Sequence, residues 1–271
     1  MNTFQRIIKY AALALAFSII VSILSLLFGF ISSISEIFES SVSTDISTDI
    51  STKISTDYTG SQINSLEIDL KEVSLYITKG NSFNIKTNTD KITSEVINGE
   101  LKIKDKSSKY SKNKIVELTI PENVILNEID IEVGLGKNNI ELLNANNIKL
   151  ELGSGKMTIN NINAYTNFEV DGGSGEINIM NANVSNMEID MGVGFTTFEG
   201  TLKGNNKIEA GIGELKINLK DSIDNYRFDV NKGIGSIKVN NNEISNNTIY
   251  GTGVNLLKID GGIGSIKINT K

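Results

Sequence analysis

The stretch Ile131-Glu-Val-Gly-Leu-Gly136 decides the fold, because its Gly-x-Gly end recurs along the chain. The same spacing stands at Gly153/Gly155, Gly173/Gly175, Gly192/Gly194, Gly211/Gly213, Gly233/Gly235 and Gly262/Gly264, with successive first glycines 19, 20, 19, 19, 22 and 29 residues apart. A near-constant period of this size marks a repeat architecture, in which each repeat supplies one structural unit that only its neighbours can bury.

With the copies aligned on the first glycine, the third place before it is always aliphatic: Ile131, Leu150, Val170, Ile189, Ile208, Val230 and Ile259. The sixth place after it holds Ile140, Ile159, Ile179, Phe198, Ile217, Val239 and Ile268. The fourth place after is apolar except at Asn138 and Thr196. Apolar and charged residues alternate before the glycines, the period of a strand with one face on a core. The residue between the glycines continues that parity, so Leu135, Val193, Ile212, Ile234 and Ile263 are expected to point inward. The parity then breaks at the second glycine, as at a corner or bulge, where glycine tolerates positive φ. About 20 extended residues trace roughly 65 Å at ~3.3 Å per residue, enough for one turn around a narrow apolar interior. The expectation is an all-β protein, a parallel β-helix or β-solenoid whose stacked turns align the aliphatic columns into ladders. An antiparallel meander of 20-residue hairpins is the rival arrangement. A nucleotide-binding reading of Gly-x-Gly fails, since the third glycine and the following helix are missing.

Outward from the repeats, residues 125–271 form the expected solenoid and residues 63–124 an irregular opening β segment. There Leu66-Glu-Ile-Asp-Leu, Val73-Ser-Leu-Tyr-Ile, Phe83-Asn-Ile-Lys-Thr, Leu101-Lys-Ile-Lys and Ile115-Val-Glu-Leu-Thr-Ile alternate. Asn98-Gly99 is a turn between them, and Pro121, the only proline, closes the last strand because it cannot donate to a ladder. Residues 32–62 are rich in Ser, Thr and Asp, with the short repeat Ser43-Thr-Asp-Ile, Ser47-Thr-Asp-Ile, Ser51-Thr-Lys-Ile, Ser55-Thr-Asp-Tyr, and read as a stalk. From Ala11 to Ile31 no residue is charged, a run long enough to cross a bilayer as a helix. Its length and the weak small-residue site after it favour an uncleaved signal anchor. Arg6 and Lys9 in the leader 1–10 place the N-terminus inside and the rest of the chain outside a cell membrane.

Composition removes whole classes of function. The 271 residues contain no cysteine, no histidine and no tryptophan. Thiolate sites, disulfides and the usual neutral-pH base are therefore absent. A net charge of -6 argues against nucleic acid as a partner. Two places before the first glycine runs an acidic column, with Glu132, Glu151, Asp171, Asp190 and Glu209 the candidate partner-binding residues. Stacked ~4.8 Å apart, like charges repel. A cationic partner or Ca2+, which takes oxygen ligands, would relieve them. The competing arrangement pairs them with Lys149, Lys207 and Lys258 and needs no ligand. No cofactor is otherwise implied. A glycosidase-like use of paired carboxylates lacks an aromatic sugar platform, and Arg227 is the sole arginine beyond the leader.

The membrane anchor, the strand ending Leu118-Thr-Ile-Pro121, and then Ile131-Glu-Val-Gly-Leu-Gly, Leu150-Glu-Leu-Gly-Ser-Gly and Val170-Asp-Gly-Gly-Ser-Gly together resemble the bacterial "putative adhesin" β-strand-repeat family. That family includes LiaG-like and LiaF-like envelope proteins of Gram-positive bacteria. The resemblance covers roughly residues 63–271 and implies a β-solenoid displayed outside the membrane, with no catalytic residues to carry over. The function expected is non-enzymatic: binding or modulating another envelope component, an envelope protein or cell-wall polymer, with envelope-stress signalling as one such role, surface adhesion or polysaccharide binding as the alternative, and a carbohydrate-active β-helix enzyme as a distant third.

Overall fold

The computed structural model describes residues 52–107 and 113–271. The leader, the 11–31 anchor and most of the expected stalk lie outside the described residues. Among those described, no helix is long and apolar enough to cross a membrane.

The described chain is all-β apart from one 3-10 turn at Ile223–Asn225. Its opening part comprises β1 (Ile54–Asp57), β2 (Ser65–Glu72), β3 (Ser74–Gly80), β4 (Asn84–Thr87), β5 (Ile92–Ile97), β6 (Glu100–Asp105) and β7 (Ile115–Pro121). Long strands that turn corners follow: β8 (Leu126–Ile140), β9 (Leu143–Ile159), β10 (Ile162–Ser185) and β11 (Met187–Lys203). The chain closes with β12 (Asn205–Glu209), β13 (Ile212–Leu219), β14 (Tyr226–Asn231), β15 (Ile234–Val239), β16 (Asn242–Glu243), β17 (Thr248–Tyr250), β18 (Asn255–Asp260) and β19 (Ile263–Asn269).

Successive repeats pair in parallel and in register, Ile131 beside Leu150, Leu150 beside Val170, Val170 beside Ile189. This is the β-solenoid-like stack expected, and the antiparallel meander is excluded for the repeats. Each turn has a strand before the glycine corner and a strand after it. A shorter third side returns the chain, as where Leu143 and Ala145 lie beside Ile162 and Ala164. The two aliphatic columns are buried in every copy. A fully buried aliphatic side chain stabilises by about 1.5–3 kcal/mol, so the ladders dominate the core. Asn residues at the returns bind the turn behind them: Asn144, Asn161 and Asn181 donate from Nδ2 to the carbonyls of Val124, Glu141 and Asn160.

Two sequence expectations need correction. The residue between the glycines points outward: Leu135 is 45% exposed, Ile263 39% and Ile234 75%. The inward place is instead the one before the first glycine, where Val133, Leu152 and Met191 are buried. Parity therefore breaks at the first glycine. Both glycine columns are enforced by crowding, since a Cβ on Gly213, at φ +140°, would lie 1.8 Å from the Gly194 carbonyl oxygen of the preceding turn.

The turns also do not stack in chain order. β12 and β13 pair with β18 and β19, and these pair in turn with β14 and β15. The seventh copy is thus inserted between the fifth and the sixth. At the other end β2 and β3 lie between β8 on one side and β6 and β7 on the other.

The opening segment combines parallel and antiparallel pairs. β2 and β3 pair in parallel with β8, whereas β4 pairs antiparallel with β7, β5 with β6, and β1, Ile54–Asp57 of the expected stalk, with β4. Asn98 and Gly99, both at positive φ, make the expected turn, here between β5 and β6.

Candidate functional site

The strands before the glycine corner carry the five predicted carboxylates to one face, and parallel register sets them in single file. Glu132 lies beside Glu151, Glu151 beside Asp171, Asp171 beside Asp190 and Asp190 beside Glu209. Asp69 precedes Glu132, and Asp260, which stands at the same place of the last repeat, follows Glu209 directly, so seven carboxylates occupy consecutive turns. Asp69 was missed because residues 63–124 were read apart from the repeats. Its signal was present in Leu66-Glu-Ile-Asp-Leu70, which alternates as Ile129-Asp-Ile-Glu-Val133 does.

The neighbouring column, two residues earlier on each strand, supplies cations unevenly. Lys149 Nζ stands 2.5 Å from Glu151, Lys207 2.5 Å from Glu209 and 2.9 Å from Glu188, and Lys258 3.2 Å from Asp260. Beside Asp69, Lys102 and Lys104 both pair with Glu67. Among the described residues Asp69, Glu132, Asp171 and Asp190 make no ion pair, so the row alternates between neutralised and bare stretches. The electrostatics follow. Partial burial, then the charges of Asp69, Glu151 and Asp130, push the Glu132 carboxyl above its ordinary range. Asp171 is raised by partial burial and by Glu151, Asp190 and Glu188, against the pull of Lys149.

The carboxylates stand in single file, one strand spacing apart. Among the described residues no group of three Asp or Glu side chains gathers closely enough to hold a metal ion. The depression beside the row is shallow and open, lined by Asp69, Lys71, Glu72, Glu132, Leu135 and Ser154. What the face can do is present negative charge at a fixed repeat of ~4.8 Å.

A family model described as Toastrack DUF4097 matches residues 34–258. The chain belongs to that family. This bears out the resemblance to adhesin-type β-strand repeats and fits the parallel stack found for the Toastrack fold here. Among solved structures, a "putative cell adhesion protein" from Clostridium sporogenes is similar at 19% identity, covering 80% of this chain and 98% of its own, with a TM-score of 0.38. A "putative adhesin" from Bacteroides fragilis is similar at 18% identity, covering 79% of this chain and 96% of its own, with a TM-score of 0.44. No curated protein matches the sequence. For this Toastrack chain the five predicted carboxylates are thus brought together in one row, while the apolar residues between the glycines, assigned to the core, are surface.

Proposed function

We propose that this chain is a non-enzymatic binding module, held at the outer side of a cell membrane by residues 11–31, that contacts another envelope component through its acidic face. The observation that carries the reading is the row of seven carboxylates in consecutive turns, four of them without an ion pair among the described residues, beside an open depression. Such a row suits a partner that brings positive charge at a similar repeat, a basic protein segment or a cationic cell-wall polymer. Membership of the Toastrack family and the absence of histidine and cysteine support a role in binding rather than in chemistry. Adhesion to an external surface is the second reading. It uses the same face, with the partner on another cell instead of in the same envelope.

The test uses residues 52–271, which contain the whole described core, immobilised and exposed to solubilised membranes and, separately, to purified cell-wall glycan. A partner captured by the native face and lost with Glu132→Gln, Asp171→Asn and Asp190→Asn combined is the expected result. Equal capture by the triple variant would remove the acidic row from the interaction.

A further inference from the structure

The outward residue of the glycine corner forms its own column, and its character changes along the stack. In spatial order it reads Leu135, Ser154, Ser174, Val193, Ile212, Ile263, Ile234. Its last four members are a continuous aliphatic ladder on the outside of the molecule. Exposure rises along it: Val193 and Ile212 are half-buried, Ile263 is 39% exposed and Ile234 75%. Glycines flank every one of these side chains in sequence, so the ladder stands as a crest that is least shielded at its outer end, Ile263 and Ile234. Phe195, 41% exposed, lies beside its inner end. Single exposed aliphatics need no explanation, but a contiguous exposed apolar strip marks an interaction surface.

The two flanks of the crest carry opposite charge. On the side before the glycines run Asp190, which has no ion pair among the described residues, and Glu209 and Asp260, paired with Lys207 and Lys258 of their own strands; on the side after them run Lys216, Lys267 and Lys238 in adjacent turns. The three lysines are exposed, and Lys267 alone of them has an ion pair, 2.7 Å to Glu214. We infer that this crest is a self-association surface, joining two copies of the chain side by side about a two-fold axis parallel to the stack.

Charge selects that axis. With the two-fold parallel to the crest, aliphatic meets aliphatic and the acidic flank of each copy faces the lysine flank of the other. With the two-fold across the crest, acid would face acid and lysine would face lysine, which is destabilising. The parallel arrangement also points both β1 strands, where the described chain begins, toward the same end. That is the arrangement two chains anchored in one membrane require, a point that rests on the anchoring proposed above, whereas the charge argument does not. Four side chains make a narrow strip, below the ~800 Å² per partner of a standard stable interface. Association is therefore weak in dilute solution and favoured where the chains are confined.

The absence of native cysteine makes single cysteines clean reporters. In the full chain, in membranes, Val193→Cys, Ile212→Cys and Ile234→Cys are oxidised in parallel with Tyr165→Cys, an exposed control away from the crest. All three crest positions are expected to give disulfide-linked dimers and the control none, because a parallel axis sets each residue against its own counterpart. Introducing Ile234→Lys and Ile263→Lys into Ile212→Cys should abolish the dimer while the circular dichroism spectrum stays unchanged. Cross-linking at Ile212 alone would reveal an antiparallel contact, since the end residues would then lie about three strand spacings, ~14 Å, from their counterparts. That pattern, no cross-link at all, or equal cross-linking at Tyr165 would each overturn the proposal. Failure of the anchoring alone would show differently, as a chain released by salt that still cross-links at the crest.

Discussion

The two ends of the stack solve one problem to different degrees. A parallel stack has an open edge at each end, and unpaired edges invite association. At both ends the first or last turn of the stack in chain order is tucked one place inward. β2 and β3 lie under β6 and β7, and β18 and β19 lie under β14 and β15. Beyond that the ends diverge. The N-terminal end adds β4 and β1 on one side and β5 on the other, and locks β6 to β7 with a buried ion pair. Lys114 Nζ is 2.5 Å from Asp105, their side chains 4% and 0% exposed, and the ammonium also donates to Ser107. The C-terminal end is covered only by the short β16 and β17, leaving Ile234, Ile249 and Val254 exposed at 75%, 69% and 91%. One end is finished as structure, and the other keeps apolar surface available for contact.

The largest effects should fall on what the two ends share. Ile68→Asp in β2 and Ile259→Asp in β18 each place an unpaired charge in the same buried ladder, and each is expected to cost more than about 4 kcal/mol. Urea unfolding that left either variant near the native midpoint would show that its tucked strand is not part of the core.

Breaking the N-terminal lock comes next. Lys114→Met strands Asp105 in the interior and should cost about 3 kcal/mol, whereas adding Asp105→Leu should recover most of it. Burial pushes the Asp105 carboxyl up, but its bonds to Lys114 and Ser107 outweigh that and hold it below the ordinary range. Its stabilising contribution is thus complete above the unfolded carboxylate pKa of about 4 and is lost as pH falls through the lowered folded value. A melting-versus-pH curve should show this loss in the native chain and not in the double variant.

A smaller contrast lies in the glycines. Gly264→Ala at the C-terminal end brings a Cβ to 1.8 Å from the Gly213 carbonyl oxygen, with no flexible side chain to yield, and is expected to cost about 3 kcal/mol. Gly60→Ala at the N-terminal end meets nothing within 4 Å, so only its positive φ opposes the change, about 1 kcal/mol. Equal unfolding midpoints for the two would refute the close approach of the turns.

The smallest effect concerns the acidic face between the ends. The folded pKa of Asp171 is raised, so its charge costs stability at neutral pH and the cost is relieved as pH falls through that raised value. Asp171 is partly exposed, and solvent screening limits the gain from Asp171→Asn to a few tenths of a kcal/mol at pH 7. The gain should vanish in acid, and a gain that persisted there would assign it to something other than charge.

The aliphatic columns were legible because every copy repeats them at fixed distance from the glycine. The same regularity hid the order of the turns. Ile208, Ile259 and Val230 occupy equivalent places, so any of these turns can stack on any other, and nothing in the columns says which does. Only the longer intervals of 22 and 29 residues hinted that the last copies depart from simple succession. The outward crest was misread because Ile212, Ile234 and Ile263 have the composition of core residues. Composition could not show that the parity breaks two residues earlier, at the first glycine. The acidic row was found in part, since its charge was visible but its extension through Asp69 depended on recognising β2 as one more turn.

The insertion of β18 and β19 has a consequence for biosynthesis. A chain emerging N-terminus first can complete its first five repeats turn by turn. The sixth repeat, Tyr226–Val239, then has no seat, because its partners in the finished molecule are residues 255–269, not yet made. Until they arrive the exposed edge of β12 and β13 is a template for the wrong strand, including one from another nascent chain. Residues 255–269 are therefore the keystone, and a chain cut near residue 255 loses the join between β12/β13 and β14/β15.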